Sequence, residues 1–176
     1  MTTTRRAIMI HAAAITAAAS VPCAARALPR ERVALYDPRY SDSRAFAAAM
    51  KAQGAATVSL AHDIGDLWRT SLAQTAQRRA QIIGLTRHSD LYISSVFAEE
   101  AGLSAHMLGQ HDARGRLTLL HTLYSPALSI KSTDANWSAQ LASAAPIAHG
   151  DSRIVVESAA PRSADFPGTL YSWAIV

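Results

Sequence analysis

Residues 32–86 contain three short apolar runs, R-V-A-L-Y-D (32–37), A-T-V-S-L-A (56–61) and Q-I-I-G-L-T (81–86), separated by two amphipathic segments. Apolar runs of this length that end in polar or turn-forming residues are typical of buried β-strands. Strands that alternate with helices at this spacing form parallel sheets with right-handed crossovers. The stretch therefore predicts the start of an α/β fold, and a third helix after residue 89 extends the pattern to β-α-β-α-β-α.

The three predicted helices carry start and stop signals. Their apolar stripes are Phe46, Ala49 and Met50 in the first helix, Trp68, Leu72 and Ala76 in the second, and Ile93, Val96, Phe97 and Ala101 in the third. Residues 41–43, Asp66 and Ser89 are the predicted N-caps, because short polar side chains accept hydrogen bonds from the first free amides of a helix. Gly54 and Gly102 stand where a helix C-terminus favours left-handed geometry.

The second half of the chain has a different pattern. Its predicted elements are strands at 105–110 and 116–124 joined by a hairpin turn at 111–115, a helix at 134–145, and late strands at 154–157 and 170–176. The fold class predicted is therefore α/β, three-layered, with a mostly parallel sheet to which an antiparallel hairpin and late strands are added.

The first 27 residues are typical of a cleavable export signal. Thr4-Arg5-Arg6-Ala7-Ile8 resembles the twin-arginine signal, and Ala25-Arg26-Ala27 supplies small residues before a cleavage point at Leu28. The apolar run from 7 to 21 is shorter than the roughly 20 residues that span a bilayer as a helix. We therefore expect a signal peptide at 1–27, passage through the twin-arginine export machinery, and a periplasmic mature domain at 28–176 without a transmembrane segment.

Two alternatives to this export route are an ordinary secretory signal that carries two arginines and a lipoprotein signal acylated at Cys23. Ser20-Val21-Pro22 before Cys23 lacks the usual Leu-x-Gly/Ala pattern of lipoproteins, and Pro22 is badly placed for cleavage. The twin-arginine route remains the expectation.

The composition excludes several functional classes for the mature chain. Three of the 17 basic residues and none of the 13 acidic residues lie in 1–27, so the mature chain is close to neutral. It has no basic cluster with interleaved aromatic residues, so nucleic-acid binding is not expected. Cys23 is the only cysteine, which leaves the mature chain without a disulfide, a thiol nucleophile or a cysteine-ligated metal.

Common catalytic and cofactor motifs are absent from the sequence. It contains no G-x-G-x-x-G dinucleotide turn, no G-K-[ST] phosphate loop, no G-x-S-x-G elbow and no H-E-x-x-H zinc motif. Asp37 ends the first strand as a phosphotransfer aspartate would, but Arg39 stands where haloacid-dehalogenase-type enzymes have a second aspartate. The sequence therefore identifies no cofactor and does not decide whether the protein is an enzyme.

Polar residues gather in the loops that follow the three predicted strands. In an open parallel sheet, ligands bind beyond the carboxyl ends of the strands, at the point where the strand order reverses. If the first strand lies between the second and the third, the three loops meet at that point. The candidate ligand-binding residues in these loops are Asp37, Arg39, His62, Asp63, Arg87, His88 and Asp90.

Two chemistries are compatible with this set. Arg39 and Arg87 lie beside the starts of predicted helices, and guanidinium groups and helix N-termini both attract carboxylates or phosphates. The histidines and aspartates could instead hold a divalent metal or form acid–base pairs. Because such residues are also ordinary loop and cap residues, simple capping is a third alternative. We expect a small anionic ligand and assign no metal.

The leading functional expectation is an exported protein of unknown activity that binds a small anionic molecule or accompanies an exported enzyme. One alternative is a small hydrolase or lyase in which His88 or His62 acts as general base with an aspartate partner. Another is an interaction module that pairs with a second chain through an exposed strand edge, either of the hairpin at 103–124 or of the C-terminal strand.

The remaining histidines and the tryptophans are expected to be structural. His111-Asp112 and the His-Gly-Asp of residues 149–151 fall in predicted solvated turns, and His106 and His121 would face each other across the hairpin if its register allowed. The tryptophans Trp68, Trp137 and Trp173 are expected in the core.

Overall fold

The computed structural model describes residues 31–114, 118–125, 128, 130, 136–145, 153–158 and 163–176. The predicted signal peptide and the predicted turn at 149–151 lie outside the described residues. The described elements are β1 (Arg32–Tyr36), α1 (Ser41–Ala52), β2 (Ala56–Ser59), α2 (Ile64–Leu67), a π-helical turn (Trp68–Leu72), α3 (Ala73–Gln77), β3 (Gln81–Thr86), α4 (His88–Glu100), β4 (Ala105–Arg114), β5 (Thr118–Leu123), α5 (Trp137–Ala144), β6 (Ile154–Ser158) and β7 (Thr169–Ile175). The segments α2, π-turn and α3 form one continuous helical run.

The seven strands form one mixed sheet in the order β2-β1-β3-β7-β4-β5-β6. Strand β1 pairs in parallel with β2 and β3, whereas the other four neighbouring pairs are antiparallel. The α/β class is confirmed, but the expected mostly parallel, three-layer arrangement is not. The difference arises because the C-terminal strand β7 inserts beside β3 in the middle of the sheet, and an apolar run indicates burial without indicating strand direction.

Each face of the sheet contributes to a separate hydrophobic cluster. Phe46 of α1 and Trp137 of α5 belong to the cluster on one face. Trp68, Leu72 and Ala76 belong to the cluster on the other face and are each 1% exposed, as the helical stripe predicted. The positive φ angles of Gly54 and Gly102 confirm the two predicted helix ends.

Helix α4 confirms part of the predicted stripe, because Ile93 and Phe97 pack partly buried against the second cluster, but its fully buried side is different. Its buried residues are Asp90, Ser94 and Ala98, whereas Val96 is exposed. Ser94 lies inside because its hydroxyl accepts a hydrogen bond from the indole Nε1 of Trp68 at 3.2 Å. A buried tryptophan N–H requires such a partner. The serine is therefore buried at a position that the pattern of apolar residues in α4 would place on the protein surface.

The hairpin is longer than the sequence predicted. Strand β4 runs on to Arg114, so His111 and Asp112 lie within the strand and not in a turn. In the resulting register His111 faces His121, and His106 faces Ala174 of β7. Strands β4, β5 and β7 each have a neighbour on both sides, so neither the hairpin nor the C-terminal strand offers the free edge that the interaction hypothesis assumed.

Helix α1 is capped from a distant part of the chain. Asp165 accepts hydrogen bonds from the backbone N–H and the hydroxyl of Ser41, both at 2.8 Å, across 124 residues of sequence. Ser163 donates to the carboxylate of Asp42 at 2.8 Å. Within the part of the chain that the structure describes, no helix is both long and apolar enough to cross a bilayer.

Candidate ligand-binding cleft

The loops that follow β1, β2 and β3 enclose a cleft of about 580 Å³, here called the strand-end cleft. Its lining includes Arg39, His62, Asp63, Arg87 and Asp90, five of the predicted site residues. The cleft forms because β1 lies between β2 and β3, so the carboxyl ends of three parallel strands meet at one edge. Its volume is within the range of small-molecule sites.

Asp37 lies beneath the cleft and holds Arg39 in place. Its fully buried carboxylate accepts hydrogen bonds from Arg39 at the backbone N–H (3.0 Å), Nε (2.9 Å) and Nη2 (2.6 Å). The N–H of Asp37 donates to Ser43 Oγ at 2.9 Å, and Ser43 donates to the carbonyl of Leu85 at 2.6 Å. These contacts join the β1 loop, helix α1 and strand β3, and they fix the orientation of the guanidinium.

The charge on Asp37 is stabilised by its two arginine neighbours. Burial alone would raise the pKa of this carboxyl, but the hydrogen bonds and charge of Arg39, together with the charge of Arg87, lower it below its usual value. The same contact raises the pKa of Arg39. Asp37 is therefore a carboxylate at neutral pH and acts as a positioning residue for Arg39.

Arg87 lies between two carboxylates without forming a bidentate ion pair with either. Its Nε is 3.8 Å from Asp37 Oδ2 and 4.0 Å from Asp90 Oδ2, beyond hydrogen-bonding distance. This Nε is buried and has no hydrogen-bond partner. Asp90 instead accepts from the backbone N–H of Arg87 at 3.3 Å, at the start of α4. Burial raises the pKa of Asp90, and the charge of Arg87 opposes that rise.

His62 and Asp63 form the exposed rim of the cleft. The Oδ1 atom of Asp63 accepts a hydrogen bond from the N–H of Asp66 at 3.1 Å, so Asp63 caps α2, and the predicted cap at Asp66 is wrong by one turn. A side chain on Gly65 would place its Cβ 2.9 Å from that oxygen. The carboxylate of Asp63 is thus engaged in holding the helix.

His88, like Asp37, is a predicted site residue that does not line the cleft. It is the first residue of α4, and its ring meets Tyr171 of β7 edge-on, with 5.1 Å between the ring centroids. The sequence could not indicate this contact, because it depends on the insertion of β7 beside β3. A general-base role for His88 in the cleft finds no support in this geometry.

A second cluster of titratable groups, here called the histidine pair, was not expected from the sequence. His111 and His121 are fully buried and lie with their Nδ1 atoms 2.9 Å apart. Trp137 packs against both rings, at centroid distances of 4.6 and 4.9 Å. One signal in the sequence was available. His121 is two residues from both Leu119 and Leu123, so the three side chains share the core-facing side of the strand.

The hydrogen bonds around the pair fix its protonation pattern. Ser172 donates to the carbonyl of Gly109 at 3.3 Å, so its oxygen accepts from His111 Nε2 at 3.0 Å. The Nδ1 of a neutral His111 then accepts the proton of His121 Nδ1. This leaves the lone pair of His121 Nε2 buried and without a partner. Burial lowers the pKa of His111 below its usual value and that of His121 to about 4.

Neither cluster resembles a metal centre. Among the residues that the structure describes, no group of three or more histidine, cysteine, aspartate or glutamate side chains is placed to hold a metal ion. The hypothesis of a metal site built from His62, Asp63, His88 and Asp90 therefore finds no support.

Comparison of the chain with protein-family models, with curated proteins and with solved structures gave no match.

Proposed function

We propose that this chain binds a small anionic molecule, a carboxylate or a phosphate, in the strand-end cleft, and that it does so as an exported binding or accessory protein. The observation that carries the proposal is the unequal use of donors and acceptors in the cleft. Each carboxylate of the cleft accepts at least one hydrogen bond from within the protein, whereas the guanidinium groups keep donors available.

The acceptors of the cleft have internal partners. Asp37 accepts three hydrogen bonds from Arg39, Asp63 caps α2, and Asp90 accepts from the backbone at the start of α4. A ligand that brought its own donors would compete with these contacts. A ligand that brought acceptors would not.

The donors of the cleft are accessible. The side chains of Arg39 and Arg87 line the cleft and are 57% and 41% exposed. The Nε of Arg87 has no partner but is buried, so a ligand would contact the exposed remainder of that guanidinium. The N-terminus of α4, a helix of 13 residues, adds a partial positive charge at the same place. Charge-assisted bonds to a guanidinium are among the strongest hydrogen bonds in proteins, so these groups favour a carboxylate or phosphate.

A titration of the purified protein with inorganic phosphate and with citrate tests the proposal. Arg87→Ala should abolish the binding seen with the wild type, while the melting temperature stays nearly unchanged because the three hydrogen bonds from Arg39 still hold the carboxylate of Asp37. Arg69→Ala is the matched control, since Arg69 is an exposed arginine that pairs with Asp66 on the second helical run. Binding by Arg87→Ala with native affinity would overturn the proposal.

Export is the second part of the proposal and rests on residues 1–27. The paired arginines Arg5 and Arg6 and the small residues before Leu28 support passage through the twin-arginine machinery. Replacement of both arginines by lysine should retain the precursor in the cytoplasm. Normal export of that variant would contradict the twin-arginine route and leave a general secretory signal.

A further inference from the structure

The two outer strands of the sheet differ in length and polarity. Strand β2 has four residues, A-T-V-S, whereas β6 has five, I-V-V-E-S. Ile154 and Val155 at the start of β6 are 38% and 53% exposed. Within the described part of the chain, β6 pairs only with β5. An exposed apolar edge strand is a template for pairing with another strand, and a short polar edge is not.

The register of β6 on β5 assigns its side chains to the two faces of the sheet. Ile154 and Val156 lie opposite Leu123 and His121, on the face covered by α1 and α5. Val155 and Glu157 lie opposite Thr122 and Leu120, on the other face. Arg153 directly precedes the strand, and alternation places it on the face of Val155 and Glu157.

We propose that β6 pairs in antiparallel fashion with β6 of a second copy of this chain, about a two-fold axis at Val155. A two-fold axis perpendicular to the sheet keeps each side chain on its own face of the sheet. Each residue of β6 must therefore lie opposite a residue of the second copy whose number differs from its own by zero or an even number. With Val155 opposite itself, Ile154 lies opposite Val156 of the partner subunit, and the apolar side chains meet on both faces.

Charge complementarity selects this register. Arg153 then lies opposite Glu157 of the partner subunit, and the symmetry repeats the pair on the other side of Val155. The next even register, with Val156 opposite itself, would place Val155 opposite a glutamate. Opposite charges facing each other across two strands stabilise the pairing, and an apolar residue facing a carboxylate does not.

The present partner of Glu157 leaves it available for this contact. Arg114 lies 3.9 Å from Glu157, and the two side chains are 65% and 57% exposed. An exposed pair at that distance contributes little to stability. The interface lies at the opposite end of the strand order from β2, β1 and β3, so the dimer and the strand-end cleft can be tested independently.

Sedimentation of the purified protein over a roughly hundredfold range of concentration tests the proposal, because a dimer follows mass action. The wild type should form a dimer. Glu157→Arg should raise the dimer dissociation constant at least about tenfold, because it places two arginines opposite each other at both ends. The combination of Arg153→Glu with Glu157→Arg restores opposite charges in the same register and should return the constant to within about threefold of the wild type.

Circular dichroism of each variant excludes misfolding as the cause of a change. A wild-type protein that stays monomeric throughout the range would overturn the proposal. An unchanged dimer dissociation constant in Glu157→Arg would also overturn it, since the dimer would then use another surface. So would a charge-swapped variant whose dissociation constant stays as high as that of Glu157→Arg, since the partner strand then has another register or belongs to another protein.

Discussion

The strand-end cleft and the histidine pair both bring buried titratable groups into contact, but they stabilise opposite charge states. In the cleft, the buried carboxylate of Asp37 has Arg39 and Arg87 beside it, and its charged form is favoured. In the histidine pair, each ring has a second imidazole and Trp137 beside it, and the neutral form is favoured.

The difference follows from where each cluster lies in the sheet. The cleft occupies loops at the ends of parallel strands, where long side chains reach solvent and helix N-termini add positive charge. The pair lies in the middle of antiparallel strands β4 and β5, under helix α5. Burial therefore does not decide the charge of a group by itself, because the partner beside it decides which form is stabilised.

The largest expected effect comes from removing the ring that covers the pair. Trp137→Ala should cost about 3–5 kcal/mol in free energy of unfolding, the usual range for a buried aromatic side chain. Trp68→Ala is the matched control, because Trp68 is equally buried on the other face and should cost a similar amount. Denaturant melts measure both.

The two variants should differ in their histidines. Trp137→Ala opens the pair to water and should raise both histidine pKa values toward 6.5, as followed by NMR titration, whereas Trp68→Ala should leave them low. A loss below about 1 kcal/mol for Trp137→Ala would show that its ring does not cover the pair.

The pH dependence of stability should separate the two regions. The unfolded chain binds a proton at each histidine near pH 6.5, but the folded chain holds His121 neutral down to about pH 4. Stability is therefore fully present above pH 6.5 and is lost as the pH falls toward 4, by about 3 kcal/mol from His121. The lowered pKa of Asp37 acts in a different window, since its contribution is present above about pH 4 and is lost only below it.

A double variant distinguishes these windows. In the variant that combines His111→Leu with His121→Leu, the free energy of unfolding should no longer fall between pH 6.5 and 4. The loss of stability below pH 4 should remain. Denaturant melts across the pH range measure this. An unchanged slope between pH 6.5 and 4 in the double variant would assign the effect to other groups.

The sequence predicted the cleft more fully than the pair for a physical reason. Parallel strands end at the same edge, so loop residues such as Arg39, Asp63 and Arg87 could be grouped once the first strand was taken as central, and the structure confirms that strand order. The position of His88 against Tyr171 and the pairing of His111 with His121 depend on the register of antiparallel strands. A single sequence does not determine that register when the turn is not recognised.

A smaller effect is expected from neutralising the buried carboxylate. Asp37→Asn keeps the shape but removes the charge that orients Arg39, and it should cost about 2 kcal/mol. Asp66→Asn is the control, because the exposed pair of Asp66 with Arg69 should contribute less than about 0.5 kcal/mol. If denaturant melts give equal losses of free energy of unfolding for Asp37→Asn and Asp66→Asn, Asp37 does not organise the cleft.

The most direct test of the anionic-ligand assignment is a residue-resolved NMR titration of the protein with inorganic phosphate and with citrate. We expect saturable shifts of the amide and side-chain signals of Arg39, Arg87 and Ser89, which also lines the cleft, with at least one of the two anions, and unmoved ring signals of His111 and His121. Signals of the cleft that stay still with both anions, or shifts centred on the histidine pair, would contradict it.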